Sequence, residues 1–129
     1  MRFRNLLILF LLILSCNSEI KNNPQAIKGE IDLRKWEFQK DGIINLDGEW
    51  DFYWDALLTP EDFEKKEIFS KEYIKFPDTW NDKIWEGKKL SSNGYATFRL
   101  KVKFKENEKP IAFRFREQAT AFKVFWNNK

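Results

Sequence analysis

Three carboxylates at alternating positions, Asp47, Glu49 and Asp51, are the first residues in this chain that could do chemistry. Glycoside hydrolysis needs two carboxylates fixed across a sugar cleft. Here Gly48 and Trp50 separate the three acids, a pattern typical of a turn followed by a strand with one solvent face. We therefore interpret them as a solvated face and predict that no residue is catalytic.

Other catalytic arrangements are missing from the sequence. The chain contains no His, so the usual acid–base group near neutral pH and the commonest metal ligand are not available. It has no phosphate-binding glycine loop, no Cys/His cluster and no nucleophile–base pair. We expect neither a metal nor a cofactor, and no enzymatic activity.

Tryptophan offers a different chemistry, the stacking of sugar rings on an aromatic face. The chain has six tryptophans. Four of them are candidates for such a platform: Trp36, Trp54, Trp80 and Trp85. Because Trp80 and Trp85 share a polar loop with Asn81 and Asp82, we predict these four loop residues as the ligand-binding set. The alternative is that the tryptophans cap a hydrophobic core or anchor the loop.

Basic residues alternate along the later strands and could form one basic sheet face if those strands adjoin. They are Arg99, Lys101, Lys103, Arg114, Arg116 and Lys123. A solvated face is one interpretation, and a surface for anionic head groups or polyanions is the other. The net charge of +3 includes Arg2 and Arg4. Without these two residues the chain has 21 basic and 20 acidic side chains, a formal net charge of +1. Because nucleic-acid binding needs a basic surface, we expect no nucleic-acid partner.

The amino terminus has the pattern of an export signal. Arg2 and Arg4 precede nine apolar residues, 6–14 (LLILFLLIL). A helix of that length spans about 13 Å, less than half of a hydrocarbon core of roughly 30 Å. The run therefore suits the apolar region of a secretory signal and is too short for a transmembrane helix.

The only cysteine, Cys16, follows this run directly. Residues 13–16 (ILSC) resemble the lipobox of bacterial lipoproteins, and the resemblance implies cleavage before Cys16 and its acylation. An ordinary secretory signal is the alternative. We expect residues 1–15 to be a signal peptide and 16–28 a polar tether. The product would be an extracytoplasmic lipoprotein anchored in the membrane, at the periplasmic face or in the outer membrane.

Beyond the tether, apolar residues recur with a period of two, which predicts half-buried antiparallel strands with one wet face. We expect Glu49, Asp51, Tyr53, Arg99, Lys101 and Arg114 to face solvent. A short helix should begin after Thr59, with Pro60 as its first residue, and end near Lys66. The sequence thus predicts an all-β antiparallel sandwich. The side chains predicted to face its core are Trp50, Phe52, Trp54, Phe98, Leu100, Val102, Phe104, Ile111, Phe113, Phe115, Phe122, Val124 and Trp126.

The last residues indicate an interrupted fold. A predicted strand, 121–126, runs into Asn127 and Asn128, a pair suited to a tight hairpin turn. No returning strand follows in this sequence, which would leave an exposed edge. We therefore expect a truncated domain, prone to aggregate when residues 17–129 are isolated.

Four segments in order resemble the galactose-binding-like jelly roll at the front of β-galactosidase and β-glucuronidase-type enzymes. They are 46–52 (LDGEWDF), 76–82 (FPDTWND), 94–99 (GYATFR), and 113–115 (FRF) together with 121–129 (AFKVFWNNK). In those hydrolases this domain is an accessory domain. The resemblance implies an incomplete jelly roll over residues 29–129.

Residues 31–34 (IDLR) and 94–102 (GYATFRLKV) more closely resemble the extracellular sensor domains of bacterial seven-transmembrane receptors with diverse intracellular signalling modules. That resemblance implies a non-catalytic module for sensing a ligand or binding carbohydrate, a fragment of a signalling receptor. The accessory sandwich of a glycoside hydrolase and a small structural lipoprotein are the alternatives. A carbohydrate or small molecule is the expected ligand, and the sequence identifies no protein partner.

Overall fold

A computed structural model describes residues 22–65, 69–106, 111–116 and 120–127. Within them the elements follow in this order: β1 (Glu30–Asp32), α1 (Phe38–Asp41), β2 (Gly48–Trp54), α2 (Pro60–Glu64), β3 (Glu72–Phe76), β4 (Ile84–Trp85), β5 (Lys88–Lys89), β6 (Ala96–Arg99) and β7 (Lys101–Lys103). The fold is all-β with short helices. The predicted signal and Cys16 lie outside the described residues.

Strand β2 is the centre of a three-stranded antiparallel sheet of order β3-β2-β6. Gly48 lies opposite Phe76 of β3, and Asp51 lies opposite Arg99 of β6. Strands β4 and β5 form a separate antiparallel hairpin. The expectation of antiparallel pairing fails for β1 and β7, which are parallel. These two strands are far apart in sequence, so the chain between them provides the crossover that a parallel pair requires.

A short segment before β1 joins the β3-β2-β6 sheet to the β1-β7 sheet. The Gly29 N–H donates to the Glu49 carbonyl at 3.0 Å, and the Gly29 carbonyl accepts from Lys101 N–H at 2.8 Å. Ala26 is buried, and its N–H donates to the Asp47 carbonyl at 2.8 Å. The predicted tether of residues 16–28 was therefore drawn too long, because its last residues are fixed by backbone hydrogen bonds to the start of β2.

Two hydrophobic clusters form the core. The first comprises Ala26, Ile31, Leu33 and Trp36, and the second comprises Phe52, Ile74 and Leu90. Leu100 and Val102 pack half-buried against the first cluster, and Phe98 packs half-buried against the second. Arg99 and Lys101 between them are exposed, so the register predicted for this stretch is confirmed.

Strand β2 differs from the prediction because both of its faces are covered. Asp51 and Tyr53, predicted to face solvent, are buried. The Tyr53 ring meets Phe63 of α2 edge-on at 5.4 Å and Phe69 at 6.4 Å. Residues distant in sequence fold over this second face, so the alternation within β2 alone could not show that it is a central strand.

Helix α2 begins as predicted. The Asp62 carboxylate accepts hydrogen bonds from both the N–H and the hydroxyl of Thr59 at 2.9 Å, and Pro60 occupies the first helical position. The helix ends at Glu64, slightly before the predicted end at Lys66. Helix α1 was not predicted. At its start the Asp41 carboxylate accepts the Glu37 N–H at 2.7 Å.

The segments 111–116 and 121–126, predicted as strands, have no strand structure. They lie beside each other through aromatic contacts, with ring centroids 4.3 Å apart for Phe113 and Trp126 and 6.3 Å apart for Phe115 and Phe122. Phe115, Phe122, Val124 and Trp126, predicted to be buried, are exposed. No backbone ladder joins these segments to a described strand, and they reach the first cluster only through ring contacts such as that of Trp126 with Phe104, 6.1 Å apart and edge-on.

Candidate functional site

An open groove of about 550 Å³ lies between the end of β2 and the β4–β5 hairpin. Trp54, Trp85 and Leu90 supply its apolar surface. Its polar surface comes from Asp55, Glu86, Lys88, Lys89 and Ser91. A concave site with aromatic walls and a few polar groups has the composition of a small-molecule or sugar site.

The hairpin that forms one wall has a two-residue turn. Glu86 and Gly87 both have positive φ, 47° and 77°, as the tight turn that matches strand twist requires. Two contacts hold the hairpin in place. The Ser70 hydroxyl donates to the Glu86 carboxylate at 2.7 Å, and the Leu90 N–H donates to the Lys83 carbonyl at 2.8 Å. The wall is therefore tied at its tip and at its base.

The two groove tryptophans are supported from below by one buried ring. Phe52 is fully buried, and its centroid lies 5.6 Å from that of Trp85 in an edge-to-face contact. The same ring lies 6.2 Å from Trp54, roughly parallel to it. Gly94 packs against the six-membered ring of Trp54, where a Cβ would collide with it. Both indoles are thus positioned by the core and only partly exposed.

The structure brings only part of the predicted ligand-binding set to this groove. Trp85 lines it, whereas Trp80 packs edge-to-face on Trp54 at 5.8 Å and does not line the groove. All three indoles pack half-buried against the second hydrophobic cluster. Asn81 and Asp82 are exposed and do not line the groove. The Asp82 carboxylate pairs instead with the Lys89 ammonium at 2.8 Å. Of the predicted set, this groove therefore includes Trp85.

The sequence did not predict that Trp54 and Lys88 would line the same groove as Trp85. The sequence indicates Trp54 only as one of four stacking candidates, and its position at the end of β2 is the available signal. Lys88 follows directly on the two-residue turn. It makes no ion pair within the part of the chain that the structure describes. Its proximity to the indoles depends on the hairpin and could not be predicted from its own neighbours.

The charges around the groove balance. Asp55 and Glu86 supply two acids, and Lys88 and Lys89 supply two bases, so the formal sum is zero. Asp55 also accepts a hydrogen bond from the Tyr95 hydroxyl and thereby raises the Tyr95 pKa. A groove with both donors and acceptors and no net charge suits a neutral polyhydroxyl ligand better than a strongly charged one.

The three carboxylates considered first do not meet at a cleft. Asp51 is buried and pairs with the Lys71 ammonium at 2.7 Å, which corrects its predicted solvent-facing role. Glu49 is exposed and accepts the Lys28 N–H at 3.1 Å. Among the residues that the structure describes, no group of His, Cys, Asp or Glu could hold a metal ion.

The ion pair between Lys71 and Asp51 predicts a loss of stability at alkaline pH. The hydrogen bond to the Asp51 carboxylate raises the Lys71 pKa, and burial raises the Tyr53 pKa. Groups with raised folded pKa values contribute their stability fully below the unfolded values, about 10 for both, and lose it as the pH rises through the folded values. Thermal unfolding should therefore shift to lower temperature as the pH rises above about 10.

A Lys71→Met variant provides the comparison for this pH dependence. It cannot lose a proton at position 71, so its alkaline shift should be smaller than that of the wild type, although it is less stable at neutral pH. Equal alkaline shifts in the two proteins would show that this pair does not govern the alkaline limb.

The single basic face considered above is not formed. Lys101 and Lys103 both pair with Glu30 in the β1–β7 sheet, the former at 3.6 Å. Arg99 belongs to the other sheet, where its guanidinium lies 4.4 Å from the centre of the Phe63 ring. The strand cations are thus divided between two sheets, and two of them share the single carboxylate of Glu30.

Comparison with known proteins gives the chain no relative: it matches no protein-family model, no curated protein and no solved structure. Along the described ranges, no helix combines the length and apolar composition needed to cross a bilayer. What the geometry defines is an all-β protein with an aromatic groove at the end of its central strand.

Proposed function

We propose that this chain is a non-catalytic carbohydrate-binding or ligand-sensing module, held outside the cytoplasmic membrane by lipidated Cys16. The observation that carries the proposal is the groove in which Trp54 and Trp85 stand beside carboxylate, ammonium and hydroxyl groups. The jelly-roll resemblance supports a frame of the galactose-binding-like type and an origin in a signalling receptor.

Sugar recognition combines two kinds of contact that the groove offers together. The C–H face of a pyranose ring stacks on an aromatic face, and its hydroxyls exchange hydrogen bonds with charged and polar groups. Trp54 and Trp85 supply aromatic lining, while Asp55, Lys88 and Ser91 supply acceptors and donors at the rim. The zero formal charge of the groove favours a neutral sugar.

Rigid indoles strengthen this proposal. The ordering of mobile side chains on binding costs roughly 0.5–1.5 kcal/mol for each side chain that loses its rotamer freedom. Trp54 and Trp85 are already fixed by their contacts with Phe52, so little of this cost falls on them. A ligand would meet a surface that is largely formed before it arrives.

A titration of the full chain in detergent micelles with lactose, cellotetraose and maltotetraose tests the proposal. We expect at least one of these neutral sugars to bind. A Trp85→Ala variant should weaken that binding by about tenfold, since it removes one stacking face. Trp85→Phe should keep part of the affinity because a smaller ring remains over Phe52.

The matched control is Trp126→Phe, which changes a tryptophan in the carboxyl-terminal segments and leaves the groove intact. It should bind as the wild type does. If no sugar binds the wild type, or if Trp126→Phe weakens binding as much as Trp85→Ala does, the groove is not a carbohydrate site.

A further inference from the structure

A second surface, apart from the groove, is formed by large apolar side chains of the two carboxyl-terminal segments. Phe122 is 56% exposed. The other exposed members of this aromatic surface are Phe115, Val124, Phe125 and Trp126. Elsewhere in the described residues, exposed apolar side chains such as Ile43 and Leu57 belong to separate loops. Grouped apolar exposure of this kind marks an interaction surface, whereas scattered exposure needs no explanation.

The same segments are positively charged. Arg114, Arg116 and Lys123 are all exposed, and the Lys123 ammonium lies 4.6 Å from the centre of the Phe125 ring. Residues 111–127 contain these three bases and one acid, Glu117, so their formal charge is +2. Cations therefore stand among the exposed rings, and the surface is aromatic and basic together.

We propose that this aromatic surface docks onto an anionic lipid bilayer. Tryptophan and phenylalanine favour the boundary between acyl chains and head groups, and Lys and Arg side chains bind the anionic head groups beside them. The surface carries both features in adjacent positions of the same two segments. This inference does not depend on the sugar groove and concerns a different part of the molecule.

Charge decides between a bilayer and a second copy of the chain. A symmetric dimer through this surface would place the same patch on both partners, so a charge of +2 would face +2. Like charges across an interface oppose association. An anionic membrane, by contrast, complements the cations and accepts the rings.

Tryptophan fluorescence of the full chain in vesicles tests this proposal, because brominated lipids quench only rings that reach them. Vesicles of brominated phosphatidylglycerol should quench part of the wild-type emission, and those of brominated phosphatidylcholine should quench much less. In Trp126→Phe the quenching should largely disappear, since this conservative change removes the reporter and keeps an aromatic ring.

Two charge variants complete the test. Replacing Arg114, Arg116 and Lys123 by Gln should lower quenching in phosphatidylglycerol to the level seen in phosphatidylcholine. The matched control replaces three exposed lysines elsewhere, Lys28, Lys35 and Lys40, by Gln and should keep the wild-type quenching. The proposal is overturned if Trp126→Phe is quenched as the wild type is, if both charge variants behave alike, or if the chain forms a dimer with Trp126 unquenched.

Discussion

Replacing Gly29 by alanine is expected to destabilise the fold by about 3–5 kcal/mol. Gly29 has φ +76°, and a Cβ there would lie 2.5 Å from Oδ1 of Asp51. Asp51 is buried and paired with Lys71, so its carboxylate cannot move aside without leaving that ion pair. The substitution therefore combines backbone strain with the disruption of a buried charge.

The backbone at Gly29 has no freedom to withdraw from the new methyl group. Its N–H is bound to Glu49 of β2, and its carbonyl is bound to Lys101 of β7. A shift of Gly29 would break these hydrogen bonds, which connect the β3-β2-β6 sheet to the β1-β7 sheet. Urea denaturation of the full chain would measure the loss as a lower midpoint with a similar slope.

Gly87→Ala is the matched control because Gly87 has almost the same backbone angle, φ +77°, with nothing within 4 Å of the added Cβ. It carries the strain of the left-handed conformation alone, roughly 1 kcal/mol. The difference between the two variants isolates the collision with Asp51. Equal losses in both would contradict the view that Gly29 is required by close approach.

How much of the fold could be predicted depends on whether the pattern was local. Phe98, Leu100 and Val102 alternate with exposed cations, and the structure keeps that register. Asp51 and Tyr53 alternate just as regularly, yet both are buried because Gly29 and α2 cover them. Alternation shows which residues share a face and cannot show what distant chain covers it.

The carboxyl-terminal segments also show that local alternation cannot reveal contacts with distant parts of the chain. Phe113, Phe115, Phe122 and Trp126 have the spacing of strand residues, and their rings do contact one another in pairs, Phe113 with Trp126 and Phe115 with Phe122. A strand, however, is defined by its backbone partner, and neither segment pairs with a described strand. Their spacing alone could not supply that partner.

The ligand-binding role of the predicted loop residues stays a prediction, and the structure shows only where those residues lie. Trp85 lines the groove, whereas Asn81 and Asp82, predicted with it because they are near it in sequence, do not. Trp54 also lines the groove, although α2 and β3 separate it from Trp85 in the sequence. Their meeting depends on the buried ring of Phe52, a contact that no local motif encodes.

Phe52→Ala should therefore affect both stability and the groove. Phe52 is fully buried and contacts Phe98 at 5.1 Å in addition to the two groove indoles. Truncating a phenylalanine in a packed core costs about 3–5 kcal/mol, through lost burial and the cavity that remains. The expected loss would be measured by urea denaturation of the full chain.

A second buried truncation separates the support of the groove from stability in general. Leu33→Ala removes a buried side chain in the other hydrophobic cluster, at a comparable cost of about 2–5 kcal/mol. Under conditions where both variants stay folded, Phe52→Ala should weaken sugar binding because Trp54 and Trp85 lose the ring beneath them. Leu33→Ala should bind as the wild type does. If both variants lose affinity to the same extent, the groove depends on overall stability and Phe52 does not position its indoles.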